Sequence, residues 1–144
     1  QWNMLMQVNL GSVQRINAAL LETELLDNGG KIVGVASISG IAGNVGQTNY
    51  AFSKSAVIGM VETSAESCAA RGITINAVAP GFIETQMTAA IPFVTRQMGR
   101  RLSSLGQGGL PIDVAEVIGF FVSPQAAGIN GNVVRVCGQS ILGA

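Results

Sequence analysis

The sequence contains no histidine. That removes the Ser-His and Cys-His nucleophile pairs and the commonest zinc ligand together. Its two cysteines, Cys68 and Cys137, stand in apolar surroundings without a Cys-x-x-Cys spacing. Both are expected to be buried thiols, as suits a cytoplasmic chain, rather than a metal knuckle or a redox pair. Charge is scarce: 11% of positions carry it, and eight basic residues cancel eight acidic ones. No global field therefore draws the chain to nucleic acid or to an anionic membrane. Nowhere do apolar residues run unbroken for the roughly 18 positions that a membrane helix needs, and the first residues lack the basic-then-apolar order of a signal peptide.

What the sequence has in quantity is apolar character, 48% of 144 residues, enough for one globular unit with a buried core. Internal repeats and low-complexity segments are not found. The most informative stretch is residues 37–54, SISGIAGNVGQTNYAFSK, in which the hydroxyl of Ser37 precedes a Tyr50-x-x-x-Lys54 pair by thirteen residues. Before it, residues 31–36 (KIVGVA) follow an Asn28-Gly29-Gly30 turn signal and read as a buried strand, placing Ser37 at the strand's carboxyl end. From Thr48, small and apolar residues such as Ala51, Ala56, Met60 and Val61 recur at helical spacing to about Ala70, with Gly72 expected to cap the end. Tyr50 and Lys54 then project from one side of that helix, one turn apart. The loop carrying Gly40, Gly43 and Gly46 lets the chain return, so that Ser37 and Tyr50 meet at one mouth.

A chemistry follows from this placement. An adjacent cation favours the phenolate form of tyrosine, and Lys54 supplies one. A phenol so tuned gives a proton to a carbonyl oxygen as hydride arrives, while the Ser37 hydroxyl bonds the developing oxyanion. Tyr-x-x-x-Lys alone occurs on many solvated helices; the serine, the strand and the glycine loop around it make the signal specific.

Elsewhere, residues 2–26 carry a helical pattern interrupted by Asn9 and Gly11, where Asn9 by itself reads as a polar residue satisfying nearby backbone. Residues 73–79 (ITINAVA) read as a second buried strand running into Pro80-Gly81, by itself simply a turn. Strand, helix, strand implies a parallel crossover. Residues 84–110 are irregular, the pattern of a lid or a disordered segment. If part of it is helical, Arg96, Arg100 and Arg101 share a side, either as a solvated face or to meet phosphates. Pro111 opens a helix to about Val122, with Asp113 and Glu116 near its positive end. Residues 132–137 (NVVRVC) read as the last strand.

In GNVGQTNYAFSKSAVIGM, RGITINAVAPGFIETQMT and WNMLMQVNL, the chain resembles the short-chain dehydrogenase/reductases, and among them the 3-oxoacyl-acyl-carrier-protein reductases. AIPFVTRQMGRRLSSLGQGG and RVCGQSILGA resemble the large, actinobacterial-type members. The resemblance covers essentially the whole chain. It implies an α/β, doubly wound parallel sheet of Rossmann type, and nicotinamide-dependent reduction of 3-oxoacyl thioesters in fatty-acid metabolism. It gives Tyr50 the role of acid, Ser37 that of orienting the carbonyl and Lys54 that of tuning Tyr50. Asn9, at a helix irregularity, would hold a water in a proton relay. Pro80, Gly81, Ile83 and Thr85, with Tyr50 and Lys54, would contact NADH or NADPH. Ser37, Gln47, Phe82 and Met87 would meet substrate, with Ile91, Phe93 and Met98 also lining an acyl pocket. Residues 138–144 would pack at a subunit interface of a homodimer or homotetramer.

The resemblance also shows a gap. No Gly-x-x-x-Gly-x-Gly turn or Asn-Asn-Ala-Gly segment is present, and a sheet of three strands is short for this fold. The expectation is therefore the carboxyl-terminal part of one reductase domain, without the phosphate-binding half. The residues that choose NADPH over NADH are missing with it, although the large members tend towards NADH. Arg71 matches a basic carrier-docking position of the ordinary bacterial reductases, but its companion position is Asn28. Coenzyme A thioesters are then as serious a candidate as those of acyl carrier protein. The alternatives are a reductase for another carbonyl, such as a steroid, sugar or quinone, and a noncatalytic oligomerisation piece.

Overall fold

The computed structural model describes residues 1–23 and 25–141. Three parallel strands form its sheet in the order β1 (Lys31–Val35), β2 (Thr74–Pro80), β3 (Val133–Val136). Ile32 lies beside Ile75 and Gly34 beside Ala77 in one pair; Ala77 lies beside Val133 in the other. β2 is central, and its sequence reflects that position. Ile73, Ile75, Ala77 and Ala79 pack with Val57, Val61 and Cys68 on one face, and Val78 packs with Phe121 and Ala126 on the other. Each large side chain so buried contributes about 1.5–3 kcal/mol. β2 therefore anchors the molecule.

Helices cover both faces, as the α/β expectation requires. The long α4 (Thr48–Ala69) crosses from β1 to β2 on one side, and α7 (Pro111–Val122) lies on the other. Where α4 passes over β1, Gly34 leaves room for Val57 and Val61, each 3.4 Å from where a Cβ would stand. Asn76, buried in β2, satisfies both ends of its amide, donating to the Ile129 carbonyl at 2.8 Å and accepting from the Asn132 N–H at 3.0 Å. That bond pair ties the turn before β3 to the sheet.

The interruption expected at Asn9 and Gly11 is a π-helical turn (Gln7–Gly11) between α1 (Trp2–Met6) and α2 (Ser12–Glu22). Other expectations shift, and the first is that α2 ends before Leu26. Arg71 explains the ending, because its guanidinium donates to the Leu21 and Leu26 carbonyls at 3.0 and 2.5 Å and to the Asn28 amide oxygen at 3.3 Å. β1 is only half-buried, since among the described residues no strand pairs with its outer edge. Part of the glycine loop is helical, α3 (Ile38–Ala42). Residues 84–110 hold two helices, α5 (Gln86–Ala89) and α6 (Phe93–Arg101). Cys68 is buried, but Cys137 is only partly buried and lines a cleft. Within the chain, the described part of the tail bonds to the segment after α6, the Ile141 N–H donating to Leu102 and the Ser104 N–H to Gln139; both bonds are compatible with the expected packing of this tail at a subunit interface. Residues 142–144 lie outside the described residues. Among the described residues no helix is long and apolar enough to cross a membrane.

Candidate active site

All three strands end on the same side, and a cleft of about 680 Å³ opens there. In open parallel sheets this is the edge at which ligands bind, because the connections leave a crevice beyond the carboxyl ends of the strands. Ser37 follows β1, Gly81 and Phe82 follow β2, and Cys137 follows β3; all four line the cleft.

Ser37 caps α3: with extended backbone, its Oγ accepts the Ser39 N–H at 3.1 Å. Having accepted, the hydroxyl keeps its one proton to donate elsewhere. It is 8% exposed, so a carbonyl oxygen met here is largely screened from water. α3 in turn lies tightly on α4. A Cβ on Gly40 would stand 2.7 Å from the backbone of Lys54 and Ser55, so only glycine permits the contact that brings Ser37 and Tyr50 to one cleft.

Tyr50 lines the cleft and Lys54 stands behind it. The Lys54 Nζ lies 5.8 Å from the centre of the Tyr50 ring, within the range of cation–π attraction. It donates to the Val35 carbonyl at 2.8 Å, which leaves two of its three donors. Burial pushes the lysine pKa down, since desolvation disfavours the ammonium. Asn9 sits within the π-helical turn. Its Nδ2 donates to the Oγ of the fully buried Ser53 at 3.2 Å, and Ser53 donates to the Tyr50 carbonyl at 2.8 Å. Asn9 is thus joined to the turn of α4 that carries the tyrosine. π-helical turns are frequent at functional sites.

The structure brings together Ser37, Gln47, Tyr50, Gly81, Phe82 and Met87 as cleft-lining residues, with Ile91 and Met98 beside them. Asn9, Lys54, Pro80, Ile83 and Thr85 lie outside that lining. Pro80 pairs with Val136 at the end of the sheet, and Ile83 bridges Gly109. The Thr85 Oγ caps α5 by accepting the Thr88 N–H at 3.2 Å. Phe93 is exposed and lies beneath the Arg96 guanidinium, not in the cleft. Sequence reasoning missed Thr95, Leu102, Ser103, Gln107, Cys137 and Ser140 in the cleft wall. All six lie in the stretches 90–109 and 135–144 that carry the family likeness, but no spacing marks them individually; the folding-back of the tail brings Ser103 and Ser140 together. Ser53 was detectable, lying one helical turn beyond Tyr50 within the same motif.

A family model described as enoyl-(acyl carrier protein) reductase matches residues 1–138. The chain belongs to the short-chain dehydrogenase/reductase family. Within it, the chain is 41% identical over 141 residues to the 3-oxoacyl-acyl-carrier-protein reductase of Thermotoga maritima, covering 98% of this chain and 57% of that one. It is 40% identical over 138 residues to the corresponding reductase of Vibrio cholerae, covering 96% and 57%. The crystal structure of an angucycline C-6 ketoreductase with bound NADP is similar with a TM-score of 0.85 and 28% identity, over 92% of this chain and 51% of that one. The chain thus spans little more than half the length of these relatives.

Proposed function

We propose that this chain carries the catalytic and substrate-covering part of a short-chain reductase domain that reduces 3-oxoacyl thioesters to 3-hydroxyacyl thioesters. One observation carries the reading: Ser37 and Tyr50 line a single cleft at the carboxyl edge of a parallel sheet, with the Lys54 ammonium against the tyrosine ring. Ser37 donates to the substrate carbonyl oxygen. Tyr50 delivers a proton to that oxygen as charge develops on it. Lys54 stabilises the phenolate left behind, and Asn9, through Ser53, steadies the turn that holds Tyr50 and borders the route by which its proton is replaced.

The residues present suit the nicotinamide end of a dinucleotide, NADH or NADPH. Lys54 keeps two donors for hydroxyl groups, and the segment Pro80, Gly81, Ile83, Thr85 borders the strand edge. When bound there, the cofactor supplies the hydride. The phosphate-binding part belongs to the remainder of a longer domain, in keeping with the share of the relatives that this chain spans.

The cleft lining includes the apolar side chains of Phe82, Met87, Ile91, Met98 and Leu102, with Gln47 among its polar groups. These fit an acyl chain on a thioester of coenzyme A or acyl carrier protein. The named relatives favour the carrier protein. Arg71 favours coenzyme A instead, because three of its bonds go to its own chain rather than to a docking surface. The protein is read as a cytoplasmic homodimer or homotetramer, with neither nucleic acid nor membrane as partner. A second reading, reduction of a free ketone, is favoured by the likeness to the angucycline ketoreductase.

The test supplies the full-length parent protein with reduced nicotinamide and, in turn, acetoacetyl-coenzyme A, crotonyl-coenzyme A and a free cyclic ketone, following loss of absorbance at the nicotinamide band. Turnover of the 3-oxo thioester is expected. Turnover of the enoyl thioester alone overturns the carbonyl chemistry, and turnover of the free ketone alone overturns the thioester.

A further inference from the structure

To the wall of the cleft beyond Tyr50 and Ser37, α6 contributes Thr95, Met98 and Gly99, with Leu102 just beyond its end. Yet α6 buries no residue of its own. Burial of its own side chains therefore does little to fix its place, and polar ties add to the one contact with Phe82. At its carboxyl end, the Ile141 N–H donates to Leu102 at 2.8 Å and the Ser103 hydroxyl to Gly138 at 3.0 Å. Along its length the tie is to the segment after β2. The Arg100 Nε meets the Glu84 Oε1 at 2.5 Å, and the Arg100 Nη1 donates to the Gln97 Oε1 at 3.1 Å.

Glu84 is itself firmly held. Its N–H donates to the Gly109 carbonyl at 2.8 Å, and the Gly109 N–H returns a bond to Phe82 at 2.9 Å, so the segment is bridged to residues 108–109 on its far side. Two glycines permit the fit. A Cβ at Gly108 would stand 2.6 Å from the Glu84 Oε1, and one at Gly99 would stand 2.8 Å from the Phe82 ring. Phe82 and Glu84 thus engage the same helix, one by packing on Gly99 and one by charge on the adjacent Arg100.

We propose that the Glu84–Arg100 ion pair is a positioning element for the substrate cleft, holding α6 against Phe82 so that Thr95, Met98 and Leu102 face the catalytic serine and tyrosine. This rests on the reductase reading above. Neither residue reaches the reacting atoms. Their effect is on where the acyl group is held, so losing the pair weakens substrate capture more than the chemical step. Glu84 also stands between Ile83 and Thr85, which border the proposed nicotinamide edge, so one pair joins the cofactor side of the cleft to its acyl side.

The experiment compares the full-length parent protein with Glu84→Gln, Arg100→Met and the charge-reversed double variant E84R/R100E. KM and kcat for acetoacetyl-coenzyme A are read at saturating reduced nicotinamide, and amide hydrogen exchange is followed in α6 and β2. Each single variant is expected to raise KM about fivefold, the upper range for a part-exposed ion pair, with kcat within about twofold. Exchange should quicken in α6 and not in β2, and the double variant should recover most of both effects. Unchanged α6 exchange in the single variants, or a double variant whose losses merely add, overturns the proposal. If the wild-type protein does not turn over the thioester, the substrate reading fails, and the exchange comparison alone decides whether the pair holds α6.

Discussion

The two walls of the cleft are built by different physics. The catalytic wall, β1, α3 and α4, stands on an apolar cluster in which Val57, Val61, Ile73 and Ile75 are at most 1% exposed. The opposing wall, residues 81–110, has a single nine-tenths-buried side chain, Ser103, and is tied by backbone bonds, glycine notches and one ion pair. Groups that must hold a proton donor in place sit where displacement costs whole side chains of burial. Groups that only shape an acyl site sit where displacement costs a few polar contacts. The difference separates chemistry from capture.

The sharpest test of that division is on the catalytic wall. Tyr50→Phe keeps the ring and loses the proton, and should lower kcat by about 10²–10⁴-fold with little change in stability; near-normal turnover would falsify the assignment. Gly40→Ala is next. Its methyl has only 2.7 Å before the α4 backbone, so α3 must move and carry Ser37 with it, a displacement that costs about 10²-fold in kcat. The same substitution on the opposing wall, Gly106→Ala, meets nothing within 4 Å and bears only the strain of a φ of +66°. It should leave kcat nearly intact.

Stability should divide in the same way. Ile75→Ala removes a fully buried side chain and should cost about 2–5 kcal/mol in urea unfolding of the full-length protein. Met98→Ala removes one that is 61% exposed, and should change stability by less than about 0.5 kcal/mol while raising KM. Equal losses would dissolve the contrast between the walls.

The smallest effect concerns acid. The hydrogen bond from Arg100 holds the Glu84 carboxyl below the usual range, against an opposing push from desolvation, and the same bond raises the Arg100 pKa. A lowered folded-state value means that the pair's contribution is complete above the unfolded carboxyl pKa of about 4.3. It is lost as pH falls through the lower folded value. The protection of α6 amides, exchange taken relative to the intrinsic rate at each pH, should therefore fall on acidification below that point, and should do so less in Glu84→Gln.

Much of this was legible before any coordinates. The strands, α4 and α7 follow from apolar period and turn residues, because each is decided by neighbours within the chain. Ser37, Tyr50 and Lys54 were legible for the same reason, with a strand end and one helical turn setting their spacing. The end of α2 was not, since Arg71, fifty residues from Leu21, supplies the donors that stop it. The partial exposure of β1 and Cys137 was also hidden, because burial depends on what lies beside an element and not on its composition.

The chemistry on offer is written in the residues alone: a tyrosine with a lysine one turn away, a serine at a strand end, no histidine, and a central strand apolar enough to be covered on both faces. The tertiary structure alone decided the shape of the cleft. Its far wall combines Phe82, Met98, Gln107 and Ser140 from four separate segments. Such a wall has no period and no motif, because contacts between distant segments depend on how the chain folds back and not on spacing along it.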